Sequence, residues 1–331
     1  MSANIFKGIT PKIIALNSLI LVAVWAGPFF INTPVGTLCC EEKAMPLYSL
    51  LSAFLDNPFA RVLTGFSFVV LISFMLVNFN TSLFFIPERT ILPSIVFALS
   101  TGMIASCQTL NPVMPAIVLL ILSLRSVMKA YRKEGTAFCF FDASLFIGTG
   151  ILFYANIIWF GIMILAGVII LRGYKLKELF LSVAGLFVPL IFTAGVYFVF
   201  SLDAESIFKN LEYNLLLSDK NFEYSDSIVA ALGFWGITVL TGMFTIIAEI
   251  NKMKVRSGKV FVLLMWWFFI SAALWFFSSG VSVEIIYLIS IPSAYFISYL
   301  LVFSRSRVLR AVFLGGIFVT VTLLQVLQYI R

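Results

Sequence analysis

The sequence predicts an all-α protein that crosses a membrane many times. Of 331 residues, 61% are hydrophobic and 11% are charged, and the mean hydropathy is +1.08. A soluble domain cannot hide that much apolar surface. Only helices or a closed barrel satisfy the backbone in lipid. The apolar runs are roughly 16 to 23 residues long and show no strict alternation, so they read as helices. The third observation is where the bases fall. They sit in short segments between the runs, and every second segment carries most of them.

Residues 1–12 are short and carry Lys7 and Lys12. The first span is expected over 13–30. It lacks a small-residue cleavage site and is long enough to cross, so it reads as a span rather than a cleavable signal. Loop 31–58 follows, with Glu41, Glu42 and Asp56. Within it, 45–55 has the pattern of a short interfacial helix, ended by Asp56-Asn57-Pro58. Span two covers 59–77, with Arg61 at its entrance, where a long basic side chain can snorkel. A turn with Pro87-Glu88-Arg89 leads to span three, 91–105. A short uncharged loop, 106–112, leads to span four, 113–130.

Spans five (140–153) and six (157–171) form a tight hairpin about Tyr154-Ala155-Asn156. The first arm is short for a full crossing, so it must be enclosed by other helices or stop part-way. Gly148 and Gly150 allow close packing there. Span seven, 179–200, carries Pro189, which bends or loosens it. Loop 201–227 is the longest polar segment and holds six acids and two lysines. Spans eight to eleven are expected over 228–250, 260–277, 284–303 and 311–329, with Pro292 inside the tenth. No stretch is polar and long enough for a separate soluble domain. Residues 1–331 therefore read as a single transmembrane domain with outer loops at 31–58 and 201–227.

Eleven spans give a testable orientation. With the N-terminus inside, the outer side receives only Lys43, Arg61, Lys209, Lys220 and Arg331, which leaves 17 of the 22 bases inside. Positive charge marks the cytoplasmic side, so the N-terminus is expected inside and the C-terminus outside. The net charge of +7 therefore orients the protein and does not suggest nucleic acid.

The absence of histidine excludes a His-based triad, His-ligated metal or His relay. Cys39, Cys40, Cys107 and Cys139 show no metal spacing. Cys39 or Cys40 could reach Cys107 if both lie outside. There is no Walker A motif and no nucleophile elbow. The spans hold almost no charge: Asp142 and Glu284 lie near span ends, where charge is cheap. That argues against an ion-driven carrier, which needs ionisable groups near the midplane. On the outer face, the candidates are Glu41, Glu42, Tyr48, Arg61, Asn111, Tyr154, Asn156, Asp203 and Glu205.

The order of these features resembles the membrane module of GT-C glycosyltransferases, especially the polyprenyl-phosphate-sugar-dependent, protein-mannosyltransferase-like branch. The matching residues are Glu41-Glu42, then Met45-Pro46-Leu47-Tyr48-Ser49-Leu50-Leu51, then Arg61-Val62-Leu63-Thr64-Gly65. Leu110-Asn111-Pro112 and the Gly-rich stretch from Phe141 to Tyr154 complete the order, which covers about residues 10–200. The acids are Glu rather than the usual Asp, and they sit about eleven residues past the first span. Residues 141–172 are also similar to an uncharacterised family of small bacterial integral-membrane proteins.

The resemblance implies a multi-pass protein of a bacterial inner membrane. It implies transfer of a sugar, with mannose as the first expectation, from a polyprenyl-phosphate donor to an extracytoplasmic acceptor. Glu41 or Glu42 would be the catalytic base and Arg61 the cation on the phosphate. Tyr48, Asn111, Tyr154, Asn156, Asp203 and Glu205 would line the substrate site. Asp203 or Glu205 could instead help bind a divalent metal. The alternative is a non-catalytic subunit or lipid-carrier facilitator of a cell-envelope assembly, working with a membrane-protein partner.

Overall fold

The computed structural model describes residues 8, 10–30, 43–132, 135–173, 175–218, 225–278, 280–304 and 306–330. The chain is all-helical, 82% helix, with no strand among the described residues. Its helices are α1 (Pro11–Trp25), α2 (Gly27–Phe30), α3 (Pro46–Ala53), α4 (Pro58–Leu83), α5 (Leu92–Thr101), α6 (Val113–Lys129) and α7 (Ala137–Ile151). Then come α8 (Gly161–Arg172), α9 (Leu176–Val199), α10 (Glu205–Glu212), α11 (Asp226–Glu249), α12 (Val255–Phe277), α13 (Ile285–Phe303) and α14 (Arg307–Ile330).

Seven helices among the described residues are long and apolar enough to cross a membrane: α4, the 155–172 helix that ends in α8, α9, α11, α12, α13 and α14. The other four expected spans fall on shorter helices. α1 and α7 have 15 residues, α5 has 10 and α6 has 17. At 1.5 Å per residue, α5 rises only about 15 Å, half of a hydrocarbon core. The outward surfaces are apolar. α9 exposes Phe180, Phe187, Phe192 and Phe198, and α14 exposes Val312, Val319 and Leu323. A water-soluble monomer does not carry such faces, so this is a multi-pass membrane protein.

α13 is the centre of the bundle. All of its residues from Ile285 to Leu301 are buried, and it packs against α5, α11 and α12. Pro292 lies inside it and lacks the N–H that would bond the carbonyl of Leu288. The indole Nε1–H of the fully buried Trp267 donates to that carbonyl at 3.0 Å. The tyrosines of α13 pin it on other sides. Tyr287 donates to Cys107 O at 2.8 Å, Tyr295 to Leu76 O at 2.8 Å and Tyr299 to Glu249 Oε2 at 2.6 Å. Each bond satisfies a polar tip that hydrocarbon would leave stranded.

The hairpin is enclosed where it turns. Tyr154, Ala155, Asn156 and Ile157 are fully buried. Its return arm is not enclosed: Trp159, Ile162 and Ile169 face outward. α7 and α9 approach closely because both are small at the contact. A Cβ on Gly148 would sit 2.3 Å from Leu186 O, and one on Gly185 2.6 Å from Phe141 O. Gly150 faces its own turn, where a Cβ would meet Ile157 at 3.1 Å.

The expected short helix within 45–55 forms as α3. Asn57 Oδ1 accepts from Phe59 N at 2.9 Å and Pro58 opens α4, which is why Asp56-Asn57-Pro58 ends one element and starts the next. Loop 106–112 is buried from Cys107 to Asn111. Gln108 donates to Val24 O at 2.9 Å, and Gln328 of α14 bonds both Met103 O and Ala105 N. Loop 201–227 is not simply solvated either. It holds α10 and one π-helical turn, Tyr213–Leu217, with Ile207 and Asn214 buried.

Candidate functional site

One end of the bundle gathers polar side chains that the sequence scatters over more than two hundred residues. It is built where α7 stops early, where α13 begins and where α3 lies across the top. Leu47 N of α3 donates to Leu152 O at 3.0 Å. The Tyr48 hydroxyl donates to Leu110 O at 3.4 Å. The backbone at Thr109 and Leu110 lies so close to α4 that a Cβ on Gly65 would be 2.9 Å from Leu110 N. Asn111, next in the chain, is fully buried. Its Oδ1 accepts from Met114 N at 3.2 Å and so starts α6. Its Nδ2 has no hydrogen-bond partner among the described residues.

Glu284 is the carboxylate of this end. It is fully buried, against the expectation of a cheap charge at a span end. The reason is its place. It precedes the first residue of the most enclosed helix, so the end of α13 is covered by neighbouring segments and not by water. Its Oε1 accepts from Ser282 N at 3.1 Å and from the Tyr154 hydroxyl at 3.4 Å. The N-terminus of α13 favours the negative charge. Asn156 lies beside this pair in the chain. Its Oδ1 accepts from Ser278 Oγ at 3.5 Å, and its Nδ2 has no partner among the described residues.

The same end carries Lys43, in the 31–58 loop. Lys43 O accepts from Asn214 Nδ2 at 2.7 Å. The Lys43 ammonium lies 4.0 Å from the centroid of the Tyr213 ring, within cation–π range. A Cβ on Gly280 would sit 2.3 Å from Asn214 O, so the π-helical turn also rests on the segment that leads to Glu284. Glu41 and Glu42 immediately precede Lys43 and lie outside the described residues.

The remaining expected residues bond within their own segments. Arg61 is half-buried at the entrance of α4, and its Nε donates to Leu55 O at 2.7 Å. Asp203 Oδ1 accepts from Glu205 N at 3.0 Å and starts α10. Glu205 pairs with Lys209 at 3.2 Å on an exposed surface. Among the described residues, no group of three His, Cys, Asp or Glu side chains gathers to hold a metal. Asp203 and Glu205 both take part in the local bonding at the start of α10.

Cys107 is disulfide-bonded, and Cys139, on α7 towards the other end, is free. Cys39 and Cys40 lie outside the described residues. Sequence reasoning missed Glu284, Asn214 and Ser278. The available signal was an acid placed at the start of the tenth expected span, after the small polar turn 278–283.

Fold and cluster together define a multi-pass helical membrane protein with a buried polar cluster at one end. No protein-family model, curated protein or solved structure matches this chain.

Proposed function

We propose that the protein is a GT-C-like membrane glycosyltransferase that moves a sugar from a polyprenyl-phosphate donor to an extracytoplasmic acceptor. It would work in a bacterial inner membrane with eleven crossings and the N-terminus inside. The observation that carries this reading is that two buried amides, Asn111 Nδ2 and Asn156 Nδ2, have no partner among the described residues at the Glu284 end. Buried polar groups are normally satisfied. Fixed N–H donors under a juxtamembrane helix suit the hydroxyls and phosphate oxygens of a lipid-linked sugar.

Two further features support the orientation. The disulfide-bonded Cys107 lies at the Glu284 end, and disulfides persist on the oxidising side of a membrane. The opposite end carries Lys129, Arg172, Lys252, Lys254 and Arg256, as the cytoplasmic side should.

In this reading Glu41 or Glu42 takes the proton of the acceptor hydroxyl. The hydroxyl oxygen bonds the anomeric carbon, the bond from that carbon to the phosphate oxygen breaks, and polyprenyl phosphate leaves with the electron pair. Lys43, which follows the acids in the chain, contacts Asn214 and Tyr213. Arg61 is the cation for the leaving phosphate. Glu284 and Tyr154 position the cluster. Glu284 is fully buried and has no route to an acceptor, so it is not the base in this reading. The second reading is a non-catalytic subunit or lipid-carrier facilitator of a cell-envelope assembly.

The test is transfer of labelled sugar by purified wild type and by Glu41→Gln/Glu42→Gln. A positioned base contributes roughly 10²–10⁴-fold, so the double variant should lose transfer by that factor while staying folded. Transfer at the wild-type rate would place the base elsewhere. No transfer by wild type with any polyprenyl-linked donor would give the ground to the subunit reading.

A further inference from the structure

The opposite end of the bundle holds a cavity of about 320 Å³ between the ends of α4, α11 and α13 and the start of α12. That volume sits at the small end of the roughly 300–1,000 Å³ typical of ligand pockets. Its lining divides by chemistry. Phe84, Phe85, Pro87 and Phe303 supply an apolar wall, and Lys252, Lys254 and Glu249 supply charge. The two lysines are solvent-exposed, while Glu249 is half-buried. Glu249 is held in place, because Oε2 accepts from the Tyr299 hydroxyl at 2.6 Å.

We propose that this cavity binds the headgroup of a zwitterionic phospholipid with a free amine, of the phosphoethanolamine type. The argument is complementarity of charge and polarity. Two ammonium groups attract a phosphate, and α12 starts beside them with no side-chain cap, so its first-turn N–H groups add to that pull. A lone anion would also meet the Glu249 carboxylate, which repels it. A headgroup that carries phosphate and primary ammonium satisfies both signs at once, with the ammonium donating to Glu249. The apolar wall then faces the glycerol and the first acyl carbons. Phe84, 42% exposed, opens that wall towards the surrounding lipid.

The backbone at the rim is unusual for its residue type. Phe84 has φ 51° and ψ 44°, a left-handed conformation that a bulky side chain rarely adopts. The fully buried Asn80 fixes the turn. Its Nδ2 donates to Glu88 O at 3.1 Å and its Oδ1 accepts from Ile86 N at 3.0 Å. The turn is thus rigid, and the cavity wall is formed before any lipid arrives. This inference does not depend on the glycosyltransferase reading.

The experiment is native mass spectrometry of the delipidated full chain in detergent, titrated with phosphatidylethanolamine, phosphatidylglycerol and phosphatidylcholine. The wild type should retain phosphatidylethanolamine about tenfold better than either other lipid, the weight of one charge-assisted bond. Glu249→Gln, which keeps an acceptor for Tyr299, should remove the preference over phosphatidylglycerol. Lys252→Ala/Lys254→Ala, at exposed positions that folding tolerates, should weaken phosphatidylethanolamine and phosphatidylglycerol alike. Equal retention of the three lipids by wild type would overturn the proposal. So would a phosphatidylethanolamine preference unchanged in both variants.

Discussion

The bond between Trp267 and the Leu288 carbonyl makes a prediction whose size and sign both follow from the structure. Trp267→Phe keeps an aromatic ring but removes the only N–H of the side chain. The Leu288 carbonyl then loses a donor that Pro292 has already prevented the helix from supplying. Leaving a buried acceptor unsatisfied costs about 1–3 kcal/mol. Polar bonds between membrane helices average nearer 0.6 kcal/mol. An expected loss of about 1–2 kcal/mol therefore includes the smaller ring. Pro292→Ala restores the helical N–H, so in that background Trp267→Phe should cost about 1 kcal/mol less. Unfolding free energies of the four proteins, from reversible SDS titration in mixed micelles followed by circular dichroism, give the coupling directly. If the two substitutions add without coupling, the indole does not compensate for the proline and the account of α13 fails.

Two further predictions test packing and covalent structure. Gly148→Ala would push a Cβ to 2.3 Å from Leu186 O, so it should destabilise by about 1–3 kcal/mol. Gly195→Ala on α9 has nothing within 4 Å and should leave the thermal midpoint unchanged or higher. In denaturing detergent without reductant, peptide mass spectrometry should find Cys139 alkylated and Cys107 protected, with Cys107 modified only after reduction. Alkylation of Cys107 before reduction would remove one support for placing the Glu284 end outside.

Much of the fold was legible in the sequence, because lipid allows few backbone solutions. Each expected apolar run lies on a helix, and Asn57-Pro58 marked the start of α4. Lengths were less legible. α5 is a ten-residue helix because Gly102 O and Met103 O accept from Gln325 and Gln328 of α14, contacts from a distant part of the chain. Hydropathy could not single out α13 as the centre, since its composition matches that of lipid-facing helices. What places it there is three tyrosines, one proline and a tryptophan on another helix. The site was partly legible. Tyr154 and Asn156 do share an end with Tyr48 and Asn111. Glu284 was read as a cheap charge because a span end normally meets water, and here it is fully buried and held by Ser282 N and the Tyr154 hydroxyl. Asp203 and Glu205 drew notice as acids in an outer loop, but both serve the start of α10.

The central claim is that a polyprenyl-phosphate donor binds at the Glu284 end. A polyprenyl phosphate carrying a photoreactive group on its first isoprene unit, irradiated with the purified full chain and mapped by peptide mass spectrometry, tests this most directly. The account predicts adducts in 105–112, 152–156 and 278–284, suppressed by excess unlabelled polyprenyl phosphate and reduced in Arg61→Ala. Adducts confined to the outward faces of α9 and α14, or to the cavity beside Glu249, would contradict it.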